Sequence, residues 1–204
     1  MVLQKIERSY KCMIKLLYDI IPFGLNGDFL NIMKNCGRMA AAVCAEKEII
    51  LASLNKIISQ LTDDSKIGIW IRSDEETILK LHKKIRTACY KEMRSVGFIK
   101  FALPEISFVS NKYEVQQLIY NFDQFSSLEI YILSKNISFD FLSYINEHPA
   151  RMNSEYAFTL LNNSELIINK SGDEDELEVV SKPEKMRSIV NTFLNEKTAT
   201  GKSK

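Results

Sequence analysis

An α/β fold is what the sequence predicts: an N-terminal helical segment followed by a mixed β-sheet with flanking helices. Three observations carry this. Residues 1–62 repeat apolar side chains at helical spacing, whereas residues 65–196 switch between a period of two and one of 3.6. The 204 residues are 46% hydrophobic and 26% charged, a balance that can bury a core. Lys and Arg number 27 against 26 Asp and Glu, so the net charge of +1 names no partner. Attraction to an anion would have to come from a local patch.

In the first segment Ile6, Tyr10, Met13, Ile14 and Leu17 form one stripe, and Val43, Ile50, Leu54, Ile57 and Leu61 another. Pro22, Gly24 and Gly27 separate the first helix from the second, and Asn26 or Asp28 can cap the restart by accepting a hydrogen bond from exposed backbone amides. Gly37 interrupts again, leaving a long third helix from about Arg38 to Leu61. Its apolar face suits packing within the chain or a seam with a protein partner or a second copy.

The composition changes at Leu61-Thr62-Asp63-Asp64-Ser65, which marks a boundary between residues 1–62 and an α/β unit over 65–196. Ile67-Gly68-Ile69-Trp70-Ile71 reads as a strand. Ser73-Asp74-Glu75-Glu76 reads as a capping box that opens a helix running to about Val96. Phe98 to Leu103 reads as the next strand, ended by Pro104, which lacks a ladder donor. Asn111 to Phe125 is an amphipathic helix, Leu128 to Leu133 a strand, and Phe139 to Ile145 a helix that stops before His148-Pro149. Tyr156 to Leu161 and Glu165 to Asn169 flank Asn162-Asn163-Ser164 as a hairpin. Leu177 to Val180 is the last strand, Ser181-Lys182-Pro183-Glu184 opens the last helix, and residues 197–204 form a frayed polar tail. The hairpin requires antiparallel pairing and the alternation of strand and helix implies crossovers, hence a mixed sheet.

The longest apolar runs stop short of the roughly 20 residues that a membrane span needs, and no cationic and apolar leader precedes a cleavage site. A cytoplasmic protein without membrane contact is expected. Cys12, Cys36, Cys44 and Cys89 have no CxxC spacing and read as free thiols. With His82 and His148 as the two histidines, neither a zinc site nor a cofactor is expected.

The order of these elements carries a resemblance. Ser73-Asp74-Glu75-Glu76 opens a helix, Phe98 to Ile106 forms a strand ending in Leu-Pro-Glu, and Leu128 to Ser134 forms another. Phe158 to Asn169 follows as a hairpin, then Leu177 to Leu194 as strand and closing helix. From Ile67 to Glu196 the chain resembles the phospholipase D-like domains that occur without catalytic residues in archaeal regulators of the TrmB type and in some archaeal sensor kinases. The resemblance implies one phospholipase D-like half. Active members carry a His-x-Lys-x4-Asp segment in which His attacks phosphorus and Lys binds phosphate oxygens. His82 is followed by Lys83 and Lys84 without the Asp, and His148 by Pro149, Ala150 and Arg151. Phosphodiesterase activity by that route is not expected.

One charge feature stands out. On a helix from Asp74 to Val96, Lys80, Lys83, Lys84, Lys91 and Arg94 fall within a sector about 100° wide, opposite the apolar stripe. These five are the candidate phosphate-binding residues: either the face is simply solvated, or it makes a weak, sequence-independent contact with the phosphate of a nucleic acid or a nucleotide. Asp173-Glu174-Asp175-Glu176 lacks the alternating ligands of a calcium loop, and Gly201-Lys202-Ser203 lacks the upstream glycine of a phosphate loop. The resulting expectation is a non-catalytic regulatory or sensing module acting in transcriptional or signalling control. The alternatives are a nucleic-acid-associated protein using residues 80–94 and an enzyme of unrecognised mechanism.

Overall fold

A computed structural model of the chain describes residues 12–17, 35–85, 88–91, 95–96, 99–100, 103–135, 139–147, 154–171 and 176–200. The strands are β1 (Cys12–Leu17), β2 (Met39–Ala45), β3 (Ile67–Arg72), β4 (Cys89–Lys91), β5 (Ser95–Val96), β6 (Ile99–Lys100), β7 (Glu105–Ser110), β8 (Ser127–Leu133), β9 (Ser164–Ser171) and β10 (Glu176–Ser181). The α-helices are α1 (Lys47–Ser59), α2 (Glu75–Lys84), α3 (Lys112–Ile119), α4 (Phe141–Glu147), α5 (Ser154–Asn163) and α6 (Pro183–Thr200). Eight strands form one sheet in the order β1-β2-β10-β9-β8-β3-β7-β4, and β5 pairs with β6 apart from it.

The α/β class is as the sequence predicts, but several elements differ. Every ladder among the described residues is antiparallel, so the expected mixed pairing gives way to an antiparallel sheet. The all-helical reading of residues 1–62 fails at β1 and β2. The run Met39-Ala40-Ala41-Ala42-Val43-Cys44-Ala45 has helical propensity, yet it lies between β1 and β10 and joins both through ladder hydrogen bonds. The sheet therefore continues across the loop at residues 60–66. Tyr156 to Leu161 belongs to α5 rather than to a strand, and Pro104 precedes a strand instead of ending one. The last helix runs to Thr200, so the frayed tail does not begin at Lys197.

Local chemistry explains the starts of two helices. Asp74, one residue after the Ser of the expected capping box, is the N-cap of α2, its Oδ1 accepting from the Thr77 amide at 2.9 Å. The Ser73 hydroxyl instead donates to the Gln124 carbonyl at 2.8 Å. Asn111 caps α3 by accepting from the amides of Tyr113 and Glu114 at 3.0 and 3.1 Å. At Gly37 the backbone takes φ +61°, the left-handed region that favours glycine, just before β2. Arg38 then donates to the Leu161 carbonyl at 2.7 Å and to the Glu165 carbonyl at 3.3 Å, neutralising the carbonyl end of α5. Burial pulls the Arg38 pKa down from its ordinary value.

The two faces of the sheet carry different layers. On the first, Val43, Ile67, Ile69, Ile71, Ile106, Phe108, Ile130 and Val179 meet apolar residues of α1, α2, α3 and α6. Ile50 and Ile58 of α1, Ile119 of α3 and Phe193 of α6 are fully buried there, each contributing about 1.5–3 kcal/mol of transfer free energy. The apolar face of α1, which the sequence leaves open as a seam between copies, is thus packed within the chain. On the second face Ala40, Ala42, Trp70, Tyr131, Ile167 and Val180 meet Phe141 and Ile145 of α4 and Ala157, Leu160 and Leu161 of α5. Among the described residues no helix is long and apolar enough to cross a membrane.

Candidate functional site

The predicted basic helix face is only partly assembled. Lys80, Lys83 and Lys84 are exposed on α2, and Lys80 Nζ donates to Glu76 Oε1 one turn earlier at 2.6 Å. The helix stops at Lys84 and Ile85 is extended. Lys91 then stands on β4, whose residues Cys89, Tyr90 and Lys91 pair with Ser107, Ile106 and Glu105. Pairing at the sheet edge thus replaces the expected helical turns, and Lys91 does not share a helix face with the other three. Arg94 lies outside the described residues, as does His148. His82 is exposed on α2, with its ring stacked on Tyr90 at a centroid distance of 5.4 Å.

The register brings together a second set of polar groups that the linear sequence does not reveal. Across β10, β9, β8, β3 and β7, the residues Glu178, Asn169, Glu129, Trp70 and Ser107 stand side by side. Ser127, Arg72 and Glu105 form a shorter parallel row two positions along the strands. All lie on the second face, because successive strand side chains alternate and the residues between them enter the first-face core.

Hydrogen bonds within the fold orient these groups. Asn169 Nδ2 donates to Glu178 Oε2 at 2.8 Å, and the Tyr131 hydroxyl donates to Glu129 Oε2. Glu105 accepts twice, from Trp70 Nε1 at 3.1 Å and from Arg72 at 2.8 Å. The Arg72 guanidinium also lies 5.0 Å from the centre of the Trp70 ring. Trp70 and Asn169 are buried, whereas Glu105, Glu129, Glu178 and Arg72 are half-buried. With adjacent strands about 4.8 Å apart, Glu129 and Glu178 stand about 10 Å apart at their backbones, with Asn169 between them. The band offers carboxylate, amide and hydroxyl groups at fixed spacing on rigid strands, an arrangement suited to recognising a polar molecule by hydrogen bonds.

A cleft of about 230 Å³ lies on the first face between α1 and α6, lined by Ile57, Ile132, Leu166 and Ile189 together with the Lys185–Glu165 ion pair. Among the described residues no group of three His, Cys, Asp or Glu side chains could hold a metal ion. Of the acidic run at 173–176, Glu176 opens β10 and the other three lie outside the described residues, as does Gly201-Lys202-Ser203. Compared with known proteins, the chain matches no family model, no curated relative and no solved structure.

Proposed function

We propose that the protein is a non-catalytic regulatory or sensing module, of the kind that a phospholipase D-like domain without its catalytic histidines would be, with the polar band as its ligand-facing surface. One observation supports this above the others. Glu105, Glu129 and Glu178 are each held by a neighbouring side chain of the fold, on strands whose opposite face enters the core. Groups fixed in this way recognise a ligand without paying to order themselves on binding.

Trp70, the one tryptophan of the chain, stands inside the band and reports on it. Titration with polar small molecules should find a compound that shifts Trp70 emission saturably. Asn169→Ala and Glu178→Ala should weaken that compound at least tenfold while circular dichroism stays unchanged. Hydrolysis of bis(p-nitrophenyl) phosphate that disappears in the His82→Ala, His148→Ala double variant would overturn the proposal in favour of an active phosphodiesterase.

A further inference from the structure

We infer that the β4 edge of the sheet, with the last turn of α2 beside it, binds the phosphate backbone of a nucleic acid without regard to sequence. The inference goes beyond the ligand-sensing reading and does not depend on the polar band. It starts from an asymmetry of charge. Residues 80–100 hold seven of the chain's 27 Lys and Arg but one of its 26 Asp and Glu, so this stretch carries +6 and the remainder −5. A near-neutral total conceals a basic segment on an otherwise acidic chain.

The fold keeps much of that segment together. Lys83 and Lys84 are exposed on the last turn of α2, and Ile85 leads into a short connection to β4. β4 is the outermost strand on its side of the sheet, with β7 as its partner, and Lys91 ends it. Lys100 occupies a strand position in β6, which pairs with β5 apart from this sheet. Five lysines elsewhere are matched: Lys47 with Asp123, Lys56 with Glu196, Lys112 with Asp63, Lys135 with Asp64 and Lys185 with Glu165, whereas the exposed Lys182 and Arg187 stand apart from any such pair among the described residues. Among the described residues Lys83 and Lys84 have no such partner. The nearest carboxylate in β7, Glu105, is engaged by Arg72 and Trp70. A phosphodiester chain supplies the regularly spaced negative charge that this edge lacks, and releasing its counterions favours the complex.

The test is fluorescence anisotropy of the full chain with a labelled 20-nucleotide single strand and a labelled duplex, over salt from 50 to 200 mM. With four or five phosphates contacted, the affinity for the single strand should fall roughly 50- to 130-fold across that range. Lys83→Glu with Lys84→Glu should weaken binding at 50 mM salt at least tenfold. Lys182→Glu with Arg187→Glu changes the net charge equally at exposed positions in and before α6, and should leave binding within about twofold. If the Glu pair fails to fold by circular dichroism, Lys83→Gln with Lys84→Gln makes the same measurement at smaller amplitude. Three results would overturn the inference: no binding of either probe by the wild type at 50 mM salt, equal losses in the two charge-reversed pairs, or binding to phosphatidylserine vesicles in preference to both oligonucleotides.

Discussion

The two faces of the sheet use the same strands for opposite purposes. On the first face the inward residues are almost wholly aliphatic or aromatic, and four helices cover them. On the second, α4 and α5 are the covering helices among the described residues, and the same strands present Glu178, Asn169, Glu129, Arg72 and Glu105. Polar residues can occupy central strands here because their neighbours along each strand bury enough apolar surface on the other side to hold the sheet. The first face supplies stability, which leaves the second free to vary in chemistry.

The largest effect that would test this division is removal of one first-face layer. A fragment beginning at Asp63 loses α1 and β2, hence Ile49, Ile50, Leu54 and Ile58 from the core and the ladder partner of β10, while α4 and α5 of the second face remain. The fragment should fail to unfold cooperatively in urea and should be cleaved rapidly by trypsin. A stable fragment from residue 63 onward would show that the first face does not depend on α1.

A smaller but sharper test sits under α4. A Cβ on Gly68 would come within 2.7–2.8 Å of the Phe141 ring, which is 1% exposed and cannot swing aside. Gly68→Ala should cost about 1–3 kcal/mol by overpacking. Phe141→Leu should be less harmful in that background than in the wild type, as read from a double-mutant cycle in urea. Additive costs would place the strain elsewhere.

Within the polar band, Glu105→Ala removes the carboxylate that accepts from both Trp70 Nε1 and Arg72 and should cost about 1 kcal/mol, the Arg72 pair adding little because Arg72 is partly in water. The emission maximum of Trp70 should move, whereas a first-face substitution of equal cost, such as Ile58→Val, should leave native emission unchanged. Movement in both would mean that the faces are not separable.

The smallest effect concerns a group on neither face. Hydrogen bonds from Thr62 and Lys135 lower the Asp64 carboxyl to about 2. A depressed carboxylate stabilises the fold above its unfolded pKa, near 4, and this contribution is lost as the pH falls from there through 2. Asp64→Asn should be slightly less stable than the wild type at pH 7 and equal to it near pH 2, so that its loss of stability between pH 4 and 2 is flatter; the difference stays small because both partners of the ion pair are largely exposed.

The sequence revealed elements whose local signals agreed with their surroundings. β3, β8 and β10 are short β-branched runs, and Asn111 stands at the cap of α3. Elements whose propensity opposes their setting were hidden. β2 is alanine-rich, and its place between β1 and β10 decides its conformation. α5 is built from strand-favouring Tyr, Phe and Thr, although its buried Ala157, Leu160 and Leu161 follow helical spacing, a signal that could have identified it. β7 alternates Ile106 and Phe108 with Ser107 and Val109, but Pro104 before it reads as a terminator when it is in fact a lead-in. The polar band could not be read, since its members come from five strands and meet only through register. The three α2 lysines were visible as residues, but the break at Lys84 was not, because no Gly or Pro marks it.

The pairing of β2 with β10 also sets a schedule for synthesis. Ala41 pairs with Val179, 138 positions later, so β2 emerges from the ribosome long before the strand that completes its ladder. At roughly 5–20 residues per second the wait is about 7–28 s. During that time an alanine-rich strand has an open edge, and the residues that will bury against α6 have no helix to cover them. A nascent chain stalled before residue 176 should therefore be a substrate for chaperones that shield strand edges, and release from them should coincide with the appearance of β10.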